Sequence, residues 1–119
     1  MKEVEIGADI QKISDFYNAK KKFLNKIFNN AEINYCLKKS EPEQHLAARF
    51  AGKEAIIKAV GQLGEHVHYR DIEIYIKGSK PYVKLRNILS KRCAVKLSMS
   101  HSGEYSLGFA VAWMRGEKD

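Results

Sequence analysis

Two side chains of opposite charge, Glu54 and Lys58, stand four residues apart in the stretch Arg49-Phe50-Ala51-Gly52-Lys53-Glu54-Ala55-Ile56-Ile57-Lys58-Ala59. On a helix that spacing puts both on one face. Such a pair is commonly an ordinary surface ion pair, worth about 0.3–0.5 kcal/mol. Here Phe50, Ala51, Ala55 and Ala59 surround it with apolar or small side chains, and Arg49 and Lys53 add positive charge. A carboxylate so placed can ligate a metal while its basic neighbours bind phosphate. Asp9 is a second carboxylate. Taken alone, an aspartate after a strand is more often a helix cap than a ligand; meeting Glu54 across the core, it would complete a pair of hard oxygen ligands. Magnesium suits such a pair, because it takes one or two protein carboxylates, keeps several waters and lets substrate phosphates fill its octahedron. Ser98-Met99-Ser100-His101-Ser102 is the third feature. It reads either as a polar hairpin end or as a phosphate or ribose contact, since hydroxyls and a histidine are good donors to phosphate oxygens.

These groups need elements to hold them. Val4, Ile6 and Ala8 alternate with polar or small neighbours, which predicts a short strand over 4–8 that leaves Asp9 at its exit into a loop. Ile13, Phe16, Tyr17, Phe23, Leu24, Ile27 and Phe28 recur at helical spacing and predict a helix over 10–28, followed by a short one over 31–38. Ser40-Glu41-Pro42-Glu43 has the form of a helix start, with a serine cap, a glutamate to complete a capping box and a proline in the first turn. The helix it opens carries Glu54 and Lys58 and stops at Gly61. The second half alternates: strands over 72–76 and 82–85 around a turn at 78–81, a short helix over 87–92, a strand over 95–99, a turn at 102–104, and a largely apolar, central strand over 105–113. The class is α+β with an antiparallel sheet packed on one long helix, in a single domain over 1–119.

Composition narrows the partners. The chain has a net charge of +7, and between Lys12 and Lys39 seven lysines face only Asp15 and Glu32. An acidic partner follows: nucleic acid, a phosphate-rich small molecule, an anionic membrane or an acidic protein. A lysine cluster is most often a solvated face; concentrated as here, it also marks a docking face. No apolar run reaches the roughly 18 residues of a membrane helix. Residues 1–7 alternate charged and apolar side chains, unlike a signal peptide. Cys36 and Cys93 form no metal or redox motif, so a reduced cytoplasmic setting is expected. His66 and His68 read as solvent-exposed. There is no phosphate-binding glycine loop, dinucleotide fingerprint or zinc spacing.

In this order, Gly7-Ala8-Asp9-Ile10, the stretch from Arg49 to Ala59, and Ser98-Met99-Ser100-His101-Ser102 resemble the three motifs of 4′-phosphopantetheinyl transferases. Asp71-Ile72-Glu73-Ile74 and Lys80-Pro81-Tyr82 are also similar. The resemblance spans nearly the whole chain, and its short length points to the single-unit acyl-carrier-protein synthase subgroup. It implies transfer of the 4′-phosphopantetheine arm of coenzyme A to a serine of an acidic acyl carrier protein, in support of fatty acid biosynthesis. On that reading Asp9 and Glu54 hold magnesium, Glu54 takes the serine proton directly or through a metal-bound water, and Lys58 neutralises the departing nucleotide. Arg49, Ser100 and His101 contact the coenzyme phosphates. The lysine-rich region docks the carrier, and the chain forms a homotrimer with sites shared between subunits. Asp15 stands where members of the family usually carry an arginine for the carrier; Lys12 or the run Lys20 to Lys22 would substitute. Gly61-Gln62-Leu63-Gly64 replaces the family's Gly-Thr-Gly. The leading alternative is a small basic nucleic-acid-binding module, which accounts for the charge and for Phe16, Tyr17 and Phe23 but not for two carboxylates among basic residues. A family member that binds coenzyme A or a carrier without transfer is a third reading, against which Asp9, Glu54 and Lys58 stand.

Overall fold

In a computed structural model that describes residues 3–116, β1 (Val4–Lys12) leads through a 3-10 turn (Ile13–Phe16) to α1 (Lys21–Ile27) and α2 (Asn30–Leu37). The long helix α3 (Pro42–Gln62) follows, then a 3-10 turn (Tyr69–Asp71), the hairpin β2 (Ile72–Lys77) and β3 (Lys80–Leu85), the single turn α4 (Leu89–Arg92), and a second hairpin, β4 (Cys93–Ser102) and β5 (Tyr105–Met114). All pairing is antiparallel, and β5 is central, as its apolar character predicts. The strands form two sheets rather than one: β1-β5-β4 and β2-β3.

The N-terminal expectation fails in an informative way. β1 runs on to Lys12, pairing residue for residue with β5 until Lys12 meets Tyr105, so Asp9 lies inside the strand opposite Gly108 and not at a loop exit. The helix expected over 10–28 shrinks to α1. A three-residue spacing serves a 3-10 turn as well as an α-helix. Ile13 and Phe16 are therefore buried by the turn, and Leu24 and Ile27 by α1. The expected cap of α3 also moves: Glu41 occupies the N-cap with no side-chain hydrogen bond, while Pro42 does take the first helical position. A capping box with reciprocal side-chain bonds lies instead at α2, where Asn29 and Glu32 exchange them at 2.8 and 3.0 Å.

Helix α3 lies on the inner face of the three-stranded sheet at a separation that two glycines permit. A Cβ on Gly7 would stand 2.1 Å from the Ala55 carbonyl oxygen, and one on Gly108 would stand 2.6 Å from the backbone of Ala51. Ala51, Ala55 and Ala59 on the helix and Ala110 and Ala112 on β5 keep the rest of the contact thin, and all are fully buried. Ile56, Val60, Ile72, Ile74 and Leu85 fill the space between α3 and the β2-β3 hairpin. A second cluster, with Phe16, Leu24, Ile27, Phe28, Cys36 and Leu46, lies beneath α1 and α2. No helix among the described residues is long and apolar enough to cross a membrane.

Candidate active site

The register of β1 and the phase of α3 decide which polar groups meet. Side chains alternate along a strand, so Asp9 and Gln11 share the face of Gly7 and point toward α3. Helix residues one turn apart then line the edge strand. Lys58 Nζ donates to the Ala8 carbonyl at 3.0 Å, and Gln62 Nε2 donates to the Ile6 carbonyl at 3.2 Å. Lys58 Nζ also lies 3.3 Å from Asp9 Oδ1, and Gln11 Nε2 donates to Asp9 Oδ2 at 2.6 Å. The Asp9 side chain is 15% exposed and that of Lys58 50%, so the pair opens to solvent on one side.

Glu54 joins this group through Tyr69, which the sequence offered no reason to single out. The Tyr69 hydroxyl donates to Glu54 Oε1, and its ring stacks on Phe50 with centroids 5.6 Å apart. Burial, the hydrogen bond to Glu54 and the negative charges of Glu54 and Asp9 push the Tyr69 pKa up to about 12, so it remains a donor. The charges of Asp9 and Glu54 both act on this one phenol, although only Glu54 is hydrogen-bonded to it.

A second polar site forms elsewhere on the same helix. Arg49, Ser100 and His101 line one cleft of about 310 Å³ together with Tyr35, Gln44, His45 and the turn residues Gly78 and Ser79. Arg49 is 2% exposed and its guanidinium lies 4.4 Å from the centre of the Tyr35 ring. Nη1 donates weakly to the His45 carbonyl at 3.4 Å, and Nε is buried without a hydrogen-bond partner. A buried cation with an unmet donor is costly unless an anion arrives. Arg49 and Lys58 are nine positions apart, so at about 100° per residue they project about 180° apart around α3. The structure thus brings together Asp9, Glu54 and Lys58 on one side, and Arg49, Ser100 and His101 on the other.

Lys53 is not part of either site, contrary to the expectation that it adds charge beside Glu54. It is fully buried and paired with Glu32 at 2.8 Å, and it also donates to the carbonyls of Ile27 at 2.7 Å and Tyr69 at 3.0 Å. Burial pulls its pKa below the usual lysine value, and the Glu32 charge pulls it back. Five positions along the helix turn the side chain by about 140°, which separates the core residue Lys53 from the solvent-facing Lys58. Lys53 thereby holds the Tyr69 backbone, and Tyr69 holds Glu54. His66 and His68 are exposed, with rings 4.5 Å apart edge to face.

Asp9 and Glu54 fit magnesium in its low-count mode. They supply hard oxygens from two different elements, β1 and α3, whose charges both act on Tyr69. Among the described residues no third histidine, cysteine, aspartate or glutamate joins them to make an all-protein cage. Water and substrate phosphates would have to complete the shell, as magnesium prefers.

Residues 5–110 match the model of the 4′-phosphopantetheinyl transferase superfamily. Holo-[acyl-carrier-protein] synthases from Chlamydia felis and Chlamydia caviae are 40% and 41% identical, over 94% and 93% of this chain and 98% of each of those proteins. A crystal structure of a holo-(acyl-carrier-protein) synthase from Bacillus anthracis, in complex with CoA (3′,5′-ADP), is 30% identical with a TM-score of 0.75, over 94% of this chain and 96% of that one.

Proposed function

Because the chain belongs to the 4′-phosphopantetheinyl transferase superfamily, we propose that it is a holo-acyl-carrier-protein synthase, magnesium-dependent and cytoplasmic, with the whole chain as one transferase domain. It moves 4′-phosphopantetheine from coenzyme A to a serine of apo-acyl carrier protein and releases adenosine 3′,5′-bisphosphate, in support of fatty acid biosynthesis. The observation that carries this reading is the grouping of Asp9, Glu54 and Lys58 at the open edge of β1. That arrangement is suited to pyrophosphate chemistry and foreign to a nucleic-acid-binding module.

Magnesium held by Asp9 and Glu54 would supply positive charge and polarisation to the pyrophosphate oxygens. The chain's own groups do the rest. The carrier serine oxygen bonds to the β-phosphorus as the bond from that phosphorus to the bridging oxygen breaks. Tyr69 occupies Glu54 Oε1, leaving Oε2 to take the serine proton. The Lys58 ammonium, half-exposed beside Asp9, meets the charge that grows on the departing nucleotide. Arg49, Ser100 and His101 bind a coenzyme phosphate in their cleft. Tyr69→Phe removes one hydrogen bond to a charged group and should lower kcat about tenfold with little change in the KM for coenzyme A. Steady-state kinetics reads both constants.

Subunit sharing is supported by the placement of the two sites on opposite sides of α3, too far around the helix to serve one coenzyme within a single chain. The outer face of the three-stranded sheet supports self-association: Ile6, Ile10, Leu107 and Phe109 form an exposed apolar patch across β1 and β5, the kind that marks an interface. A homotrimer would bring one subunit's Arg49 cleft to its neighbour's Glu54.

Lys20, Lys21, Lys22 and Lys26 are all exposed on or beside α1, as a docking face requires. The aromatic contacts from Phe23 to Phe50 at 6.1 Å and from Phe50 to Tyr69 at 5.6 Å place this helix beside the Glu54 site. Arg70 adds a clamp, donating to the carbonyls of Asn25 and Phe28. Asp15 is exposed in the preceding turn and offers an acidic carrier nothing, so the lysines carry docking. The double variant Lys20→Glu/Lys22→Glu should raise the KM for carrier well above any change in that for coenzyme A; an equal rise in both constants would remove the docking role.

The direct test incubates the purified protein with magnesium, coenzyme A and apo-carrier and follows the carrier by intact-protein mass spectrometry. The phosphopantetheine mass should appear on the carrier. Several carriers left unmodified would overturn the assignment.

A further inference from the structure

One titratable group in the Arg49 cleft has no part in the transfer chemistry. His45 lies one turn before Arg49 on α3 and lines the same cleft as Arg49, Ser100 and His101, while no aspartate or glutamate lines it. Tyr35 of α2 holds the two α3 side chains together: the His45 ring meets its edge at a centroid distance of 6.3 Å, and the Arg49 guanidinium sits 4.4 Å from its ring centre. Within this cleft no acidic side chain answers the charge of Arg49; Glu32 and Glu73 stand on its other side, across a neighbouring cavity. Cys36, its neighbour, has a thiol that burial pushes up to about 11, so it stays neutral. The cleft therefore presents a buried guanidinium with an unmet Nε, two imidazoles and the hydroxyls of Ser79 and Ser100 to whatever enters.

We propose that His45 is a specificity-determining contact for the 3′-phosphate monoester of coenzyme A and that it takes up a proton when that phosphate binds. The inference rests on the coenzyme reading of the cleft given above, and adds to it a residue and a pH dependence. The groups facing His45 come from every neighbouring element: Arg49 on its own helix, Lys39 after α2, His101 at the end of β4, and Glu41 before α3. Burial first, then the positive charges of Arg49, Lys39 and His101, hold its pKa below the usual 6.5, with Glu41 opposing. At pH 7 the free ring is thus neutral. A phosphate monoester carries nearly two negative charges at that pH, its second pKa being about 6. Placed in the cleft, it favours the protonated imidazole. The complex then holds more protons than the separate partners, and by linkage binding tightens as pH falls from about 8 toward 7. Below about pH 6 the phosphate itself gains a proton and the tightening ends.

Calorimetric titration at pH 7, with magnesium present and in two buffers of unlike ionisation heat, counts the protons taken up. The native protein should take up protons with coenzyme A and none with 3′-dephospho-coenzyme A. His45→Gln should lose most of that uptake and bind coenzyme A about tenfold more weakly, as expected for a lost charge-assisted contact, while its affinity for 3′-dephospho-coenzyme A stays unchanged. His45→Phe keeps a ring against Tyr35 and gives the same reading if glutamine disturbs the packing. An undiminished proton count in both variants, a count that vanishes only in His101→Gln, or equal uptake with 3′-dephospho-coenzyme A would overturn the role of His45. A native protein that binds neither nucleotide would overturn the coenzyme reading of the cleft itself.

Discussion

Replacing Glu54 with glutamine is expected to lower kcat for carrier modification by about a hundred- to ten-thousand-fold, the range that a positioned general base contributes. Glutamine keeps the length of the side chain and an oxygen to accept the Tyr69 hydroxyl, so the thermal midpoint should hardly move. What disappears is the group that takes the serine proton, together with the full negative charge that the proposed metal site shares with Asp9. The two losses fall on the same atoms and should not add, because neither role works without the other. Carrier mass against time, at saturating coenzyme A and carrier, gives the rate. A variant that modifies its carrier at the native rate would mean that Glu54 neither takes the proton nor holds the metal, and the reading of the whole Asp9–Glu54–Lys58 group would fall with it.

The largest stability effect should come from Glu32→Ala, at about 3–5 kcal/mol, the cost of breaking a buried ion pair from one side. Glu32 accepts from Lys53 at 2.8 Å, from the Asn29 backbone at 3.0 Å and from the Ile74 backbone at 2.9 Å. It therefore joins the start of α2, the middle of α3 and the strand β2 in one network. Alanine leaves the fully buried Lys53 with only the carbonyls of Ile27 and Tyr69. The pH dependence has a definite sign. Burial holds the folded Lys53 pKa below the 10.5 of the unfolded chain, so between those two values the unfolded state binds more protons. Stability from this group rises with pH across that window, and loss of Glu32 widens the window downward. Urea midpoints measured at pH 7 and pH 9 should show the variant recovering part of its deficit. A deficit below about 1 kcal/mol, or one that grows with pH, would contradict the account.

Much of the site was legible because its chemistry is local. The spacing of Glu54 and Lys58 needs only the helical period, and Pro42 and the apolar rhythm of 46–60 make that helix plain. The alternation over 72–76 and 95–99, with turns at 78–81 and 102–104, gives two hairpins, and the largely apolar character of 105–113 puts that strand in the middle. The failures were also local in origin. Ile13 and Phe16 satisfy a 3-10 turn and an α-helix equally well, and Ser40 carries the pattern of a cap without occupying the cap. Asn29 and Glu32 carry the same kind of pattern and do form the box. Periodicity alone does not choose between such pairs, because the choice is made by the ten-residue strand β5, which requires β1 to extend as far as Lys12.

The residue types and their order, with Asp9, Glu54 and Lys58 able to serve pyrophosphate chemistry and a lysine-rich segment able to meet an acidic partner, are properties of the chain as written. Tertiary structure alone decided that Lys58 meets Asp9. Gly7 and Gly108 let α3 approach the sheet closely enough for Lys58 to reach Asp9, forty-nine positions away. The rotation of α3 sends Lys53 into the core and leaves Lys58 in solvent, a difference that two lysines in one motif do not reveal. Tyr69 enters the site from a 3-10 turn whose sequence has no period at all, and the placement of Arg49 on the far side of α3 separates its cleft from Glu54 and Lys58. Each of these depends on contacts between elements distant in the chain, and a pattern that repeats over two to four residues carries no information about them.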